Sequence, residues 1–177
     1  MGSAQKRHIV HCREHLRLAS DYLEYHVRMY VETLRFLRVR TAQRAPKDII
    51  WNSALEDHLI HARVLIDFLE KESGRDDDVL AVDFFHDAPG VFNPTGDNFL
   101  RTWADNVGGR LVHITTKPMP ALKSEQNWPI EEIALRLRPA LQACLDMLPK
   151  ERLAEGVEGQ ISSHLARLTT AAPSDAA

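Results

Sequence analysis

The segment from about Asp48 to Glu72 constrains the fold most, because its apolar residues recur at the spacing of a single helix face. The apolar positions are Trp51, Leu55, His58, Ala62, Leu65 and Leu69. The opposite, polar positions are Asn52, Glu56, Arg63, Asp67 and Glu70. This division predicts an amphipathic helix that packs on a core through one side. Ser73-Gly74 predicts its end, with Gly74 as the C-terminal cap.

Four other stretches carry helical signals. The first runs from about Gln5 to Arg40, and it either continues unbroken or breaks near Ser20 or Asp21, which would then cap a second helix. Asp97 is a predicted N-cap for a helix that buries Phe99, Trp103 and Val107. Trp128-Pro129 opens the next helix, since proline suits a first turn. Its predicted buried residues are Ile133, Leu137, Leu141, Leu145 and Leu148. A weaker last helix is expected from about Lys150 to Leu168.

No stretch predicts a strand, and the chain has no internal repeat. We therefore expect an all-α fold, a single-domain bundle of four to six helices over residues 1–168, followed by a disordered tail over residues 169–177. A long irregular connection separates Gly74 from the helix that follows Asp97. Its apolar residues, among them Val79, Phe84 and Phe85, predict that it packs onto the bundle.

The cellular setting follows from what the chain lacks. Cys12 and Cys144 stand alone, without the spacing of a disulfide framework or a zinc site, so both are expected to be reduced. The first residues have no apolar run typical of a signal peptide, and no stretch is long enough to span a membrane. We expect a cytoplasmic protein that does not enter a membrane, and no motif in the chain indicates a cofactor.

Charge is unevenly distributed although the net charge is only −3. Residues 1–47 carry a net charge of +6, residues 48–100 carry −9, and residues 101–177 carry none. Either one basic face binds nucleic acid, or the first helix pairs its charges with those of its neighbour. The second interpretation is the more ordinary one for a helical bundle.

Several histidines occur at helical spacing. His8, His11 and His15 would share one side of the first helix, where they either bind a transition metal or form a partly exposed polar face. His58 and His61 lie in the second helix, and each is either a buried histidine with a satisfied hydrogen bond or a ligand or acid-base group. No carboxylate completes a ligand set with these three histidines as strongly placed as in known helical metal motifs, which favours the polar face, so no metal is expected.

The stretch from Asn98 to Thr116 is the candidate functional surface. Gly108-Gly109 is expected to interrupt its helix, as a hinge, a helix end or a point of close backbone approach. Asn106, Arg110 and His113 stand around that break. A guanidinium can bind a phosphate through two hydrogen bonds, and an imidazole can move a proton near neutral pH. Together these groups have the chemistry of a phosphate-binding or phosphate-cleaving site.

A resemblance adds to this hypothesis. Four segments carry it: the helix NSALEDHLIHARVLIDFLE, the following DDDVLAVDFF, the later RLVHIT and the helix opened by Trp-Pro. Together, over about Asn52 to Leu148, they resemble small bacterial helical proteins similar to the HEPN superfamily. The resemblance implies a helical, dimeric module that binds RNA or a nucleotide. It also implies, for active members, metal-independent cleavage of RNA by an Arg-x(4–6)-His motif whose two copies meet across a dimer.

The resemblance assigns roles to particular residues. His113 would transfer the proton, and Arg110 or Arg101 would hold the phosphate. The binding residues would be Asn106, Glu56, His61 and Arg63. The spacing departs from the family motif: Arg110 is three residues before His113, Arg101 is twelve before it, and Asn106 stands near the expected distance.

Four functions remain open at this stage. The first is a HEPN-like module, in a toxin-antitoxin or phage-defence setting, that dimerises and binds RNA, a nucleotide or a protein partner. Alternatively the chain is a ribonuclease that uses the Arg/His pair, an antitoxin-like scaffold, or a metal-binding bundle. In the scaffold case, Arg110 and His113 only tie the glycine pair to the second helix through Glu56 or Asp57.

Overall fold

The helical periodicity produces five α-helices in the computed structural model. The structure describes residues 11–41, 48–75, 77–88, 90–92, 95–111 and 128–168, and residues 108–111 by their backbone alone. The helices are α1 (Arg13–Arg40), α2 (Ile49–Glu70), α3 (Asn98–Leu111), α4 (Ile130–Met147) and α5 (Val157–Ala166). Short 3-10 turns cover Ala81–Phe85 and Lys150–Arg152. These ranges contain no strand, and the expected all-α bundle of four to six helices is confirmed.

The second helix lies at the centre of the bundle. α2 packs against α1 on one side and against α3 and α4 on the other, while α5 packs on α1. Buried apolar side chains from all five helices join in one core. None of the helices within the described ranges is long and apolar enough to cross a membrane.

The first helix is continuous from Arg13 to Arg40, so the alternative of a break near Ser20 is excluded. Ser20 is fully buried, and its hydroxyl donates to the Arg17 carbonyl (2.7 Å). The same hydroxyl accepts a hydrogen bond from the Ala154 amide (2.8 Å). Ser20 therefore stabilises the contact between α1 and the chain before α5 and does not cap a second helix.

The second helix begins as predicted and ends earlier. The Asp48 carboxylate caps α2 by accepting a hydrogen bond from the Trp51 amide (3.0 Å). The prediction that Gly74 caps the other end is wrong, because α2 ends at Glu70 and Lys71 already has extended backbone angles. Glu70 was also assigned wrongly to the polar face, since its side chain is only 4% exposed.

The irregular connection packs down onto the bundle, as predicted. Leu80, Phe84, Phe85 and Phe92 are buried, and the rings of Phe85 and Phe92 stack with centroids 5.4 Å apart. The Asp83 carboxylate accepts a hydrogen bond from the Leu80 amide (2.7 Å) and so stabilises the 3-10 turn. This segment closes the end of the α1–α2 pair.

The predicted interruption at Gly108-Gly109 is wrong, because α3 continues through both glycines to Leu111. The Asp97 carboxylate caps α3, accepting from the amides of Phe99 (2.9 Å) and Leu100 (3.2 Å). Two helical glycines cost about 2 kcal/mol, which the burial of Leu100 and Trp103 on the core outweighs at about 2 kcal/mol for each side chain.

The last two helices differ in how closely they follow the sequence pattern. In α4, all five predicted positions from Ile133 to Leu148 are buried. The helix predicted from Lys150 to Leu168 is instead a 3-10 turn followed by the shorter α5. Gly156 separates them with a φ of 78°, a left-handed conformation that a continuous right-handed helix does not contain.

Candidate functional site

The outer side of the α1–α2 pair exposes a group of large apolar residues that we call the apolar stripe. It consists of Leu18, Tyr22 and Tyr25 on α1 and of Ile60 and Val64 on α2, which are between 37% and 62% exposed. The α1 members are three and four residues apart, so they share one helix face. A continuous exposed apolar patch is typical of a surface that binds another molecule, whereas single exposed apolar residues are ordinary.

A groove of about 360 Å³ runs between the two helices beside this stripe. Tyr22 and Val64 line its walls, His26 and Phe68 line it from the two helices, and Leu80 of the connection closes it. Its charged residues include Lys71 and three aspartates, Asp67, Asp77 and Asp78. Lys71 pairs with Asp67 (2.8 Å), which leaves two aspartates in excess at this end of the groove.

Two histidines meet across the helix interface beneath the apolar stripe, and we call them the imidazole pair. Nδ1 of His26 on α1 lies 2.8 Å from Nδ1 of His61 on α2. Nε2 of His61 lies 3.4 Å from an Asp57 carboxylate oxygen one helical turn earlier. The Tyr25 ring packs edge-on against both imidazoles, with centroids 5.3 and 5.6 Å away.

The hydrogen-bond partners determine which ring nitrogens of the imidazole pair carry a proton. A carboxylate only accepts, so Nε2 of His61 carries a proton that it directs to Asp57. In the neutral ring Nδ1 of His61 is then an acceptor, and His26 donates its own Nδ1 proton to it. Burial lowers the pKa of His26, and the neighbouring His61 lowers it further. Burial also lowers the pKa of His61, against the opposing effect of Asp57.

A second histidine contact lies deeper in the same interface. The His58 ring stacks on Tyr30, with centroids 4.6 Å apart, and its Nδ1 donates to the Tyr30 carbonyl (3.2 Å). Among the described residues, Nε2 of His58 and the Tyr30 hydroxyl are buried without a hydrogen-bond partner. Burial lowers the pKa of His58 to about 4, because a proton on Nε2 would have no acceptor.

The predicted binding residues of α2 do not converge. Glu56 is exposed, and Arg63 forms a half-buried ion pair with Asp67 (3.8 Å), as expected for this spacing. At 100° per residue, Arg63 points about 160° away from His61 around the helix. His61 therefore faces α1 with Asp57, and no site formed jointly by Glu56, His61 and Arg63 exists on α2.

Arg101 has a structural partner. Its Nε donates to the buried Glu70 carboxylate (2.8 Å), which also accepts from the Gly96 amide (3.2 Å) and from the Thr95 hydroxyl. The guanidinium therefore neutralises a buried carboxylate, and this contact opposes the predicted role in phosphate binding. Asn106 lies exposed on α3.

The remaining predicted residues are beyond what the structure describes. Arg110 belongs to α3, but only its backbone is described, and His113 lies outside the described residues. Their predicted roles in proton transfer and phosphate binding therefore stay predictions. His8 lies outside as well, whereas Nε2 of His11 lies 3.1 Å from the Asp78 carbonyl. No group of three or more His, Cys, Asp or Glu side chains within the described ranges is arranged to hold a metal.

Sequence reasoning missed His26, whose partner His61 is 35 residues away. Neither residue predicts the other, because periodicity within one helix carries no information on which residue of another helix it meets.

Comparison of the chain with known protein families, with curated proteins and with solved structures gives no match. The contacts described above therefore provide the basis for a functional proposal.

Proposed function

We propose that the protein is a helical binding module that forms a homodimer through the apolar stripe. One observation carries the proposal: five large apolar side chains are exposed together on α1 and α2, although the bundle has a well-packed core. Covering them removes apolar surface from water, which is the main driving force of protein association.

Charge favours a second copy as the occupant of this surface. Asp77 and Asp78 lie at the Tyr22 end of the groove, whereas the Arg28 guanidinium lies over the Tyr25 ring, 5.6 Å from its centroid, and 3.5 Å from the Glu24 carboxylate. A two-fold axis across the stripe brings the two aspartates of one copy towards Arg28 of the other. Such an isologous interface uses one surface twice and needs no other protein.

The proposal agrees with the HEPN-like resemblance, which implies a dimer because the Arg and His residues of that superfamily act across two chains. It favours binding over cleavage, since Arg101 is held by Glu70. We also propose that the dimer binds RNA, a nucleotide or another protein as its ligand.

The oligomeric state tests it directly. We expect the wild-type chain to have twice the monomer mass in sedimentation equilibrium and in size-exclusion chromatography with light scattering. Tyr22→Glu is expected to be monomeric, because it places a charge in the centre of the interface. Leu135→Glu is the matched control, since Leu135 is 77% exposed on α4, away from the stripe, and it should remain dimeric.

A charge exchange tests the orientation of the two copies. Arg28→Glu should weaken the dimer, and adding Asp77→Arg to it should restore the affinity. Asp77 suits this role because it is exposed. A monomeric wild-type chain at concentrations where micromolar complexes assemble would overturn the proposal, as would a dimer that Tyr22→Glu leaves intact.

A further inference from the structure

The imidazole pair lies directly below the surface that the proposed dimer covers. His26 lines the groove and is half-buried, and Tyr22 and Tyr25 of the apolar stripe precede it by four residues and one residue. Because Nδ1 of His26 is directed to His61, the next proton that the pair takes up binds Nε2 of His26. A cation then forms next to the apolar stripe.

We propose that this pair makes the association of two copies sensitive to pH, so that protonation of His26 separates them. The inference rests on the proposed dimer. A second copy packed over Tyr22 and Tyr25 removes water from His26, and burying a charged imidazole costs far more than burying a neutral one. The dimer therefore binds fewer protons than two monomers, and acid favours the monomers.

The charged groups around the pair act on a cation in both directions. On α2, Asp57 faces His61 and favours a cation, while His58 lies one turn away and deeper. Arg28 on α1 lies over the Tyr25 ring and disfavours a cation, and it pairs with Glu24 (3.5 Å). The remaining charged groups along the groove are Asp67, Lys71, Asp77 and Asp78. Among these described carboxylates, Asp57 is the one that contacts the pair.

A second proton makes the contact untenable. With both rings charged, two N–H groups would face each other across the 2.8 Å now spanned by one hydrogen bond. The helices would then have to separate at this point, directly below the apolar stripe. Both protonation steps therefore weaken the association of the two copies.

The experiment measures the dimer dissociation constant by sedimentation equilibrium at about pH 7.5 and about pH 5, which bracket the ordinary histidine pKa. We expect Kd to rise at least about tenfold in acid, since each proton released on dimerisation contributes up to about tenfold per pH unit. Far-UV circular dichroism at both pH values checks that the fold is retained. His15→Gln is the matched control, because His15 is exposed and should leave the dependence unchanged.

Two variants assign the effect to the pair. His26→Gln can still donate to His61 but does not titrate, so its Kd should be the same at both pH values. Asp57→Asn removes the carboxylate that favours the cation, so its dimer should persist to lower pH than the wild-type dimer. If His26→Gln is monomeric throughout, the direction of the Asp57→Asn shift decides the question.

The outcomes separate the two proposals. A chain that is monomeric at both pH values overturns the dimer itself. A dimer whose Kd is unchanged between the two pH values, or whose pH dependence survives in His26→Gln, overturns the regulation and leaves the dimer in place. Titration of the imidazole Hε1 resonances by NMR gives a readout independent of mass: the His26 resonance should titrate at lower pH in the dimer than in monomeric Tyr22→Glu.

Discussion

At the scale of single residues, histidine does most to distinguish this protein from an ordinary helical bundle. His58, His61 and His26 all lie in the α1–α2 interface, yet each has a different set of partners. His58 is a buried neutral ring whose Nδ1 is bonded and whose Nε2 has no partner among the described residues. The prediction of a buried histidine with a satisfied hydrogen bond is therefore confirmed for His58 through its Nδ1.

This half-satisfied ring predicts how stability depends on pH. The folded-state pKa of His58 is about 4, below its ordinary value of 6.5, so the unfolded chain takes up the proton first. The contribution of His58 is fully present above about pH 6.5 and is lost as the pH falls towards 4, by an amount on the order of 3 kcal/mol.

Urea denaturation of monomeric Tyr22→Glu at several pH values between about 7.5 and about 4 measures this loss without contributions from association. Adding His58→Gln should flatten the curve in this range, because glutamine does not titrate. Adding His15→Gln should not, since that ring is exposed. A free energy of unfolding that stays constant down to pH 4 would contradict the assignment.

At the scale of elements, a buried carboxylate fixes the position of α3 against the end of α2. Glu70 accepts hydrogen bonds from Thr95, Gly96 and Arg101, so the last residue of α2 binds both the loop before α3 and α3 itself. The same network engages Arg101, a candidate phosphate ligand from its sequence.

Removing this carboxylate should destabilise the bundle strongly. We expect Glu70→Ala to lower the free energy of unfolding by about 2–4 kcal/mol, because it leaves three donors without their buried acceptor. Asp67→Ala on the same helix is the control: its pairs with Lys71 and Arg63 lie at the surface, and its loss should cost less than about 1 kcal/mol. Equal midpoints in urea for the two variants would show that the network contributes little.

At the scale of the whole molecule, the proposed dimer and the proposed ligand are separate questions. The described residues expose the apolar stripe that we propose as the dimer surface. Arg101 is engaged by Glu70, and Arg63 points away from His61. The side chains of Arg110 and His113 are not among the described ones, so their predicted roles stay predictions, and the proposed function is binding.

An assay with RNA tests this choice between binding and cleavage. We expect purified protein to leave single-stranded RNA intact in the presence of a metal chelator, because Arg101, the described candidate for holding the phosphate, already pairs with Glu70. Cleavage that persists in chelator and disappears in His113→Ala, but not in His15→Ala, would contradict this and establish the ribonuclease hypothesis.

The positions of most helices and the N-cap of α3 follow from local sequence. Asp97 caps α3 as predicted, and the buried positions of α4 follow the predicted spacing, because these features depend on residues within a few positions of each other. The local rules failed at Gly74, since α2 already ends at Glu70, and at Ser20, which lies within an unbroken α1 and bonds to Ala154.

Which side chains the helices bring together depends on the tertiary packing. The His26–His61 contact, the Glu70–Arg101 pair and the stripe shared by α1 and α2 each join residues more than 30 positions apart. The rotation of each helix about its own axis, set by packing of the whole core, determines which side chains meet across an interface. A periodic pattern tells which side of a helix is buried, but it does not say which residue of the next helix lies opposite.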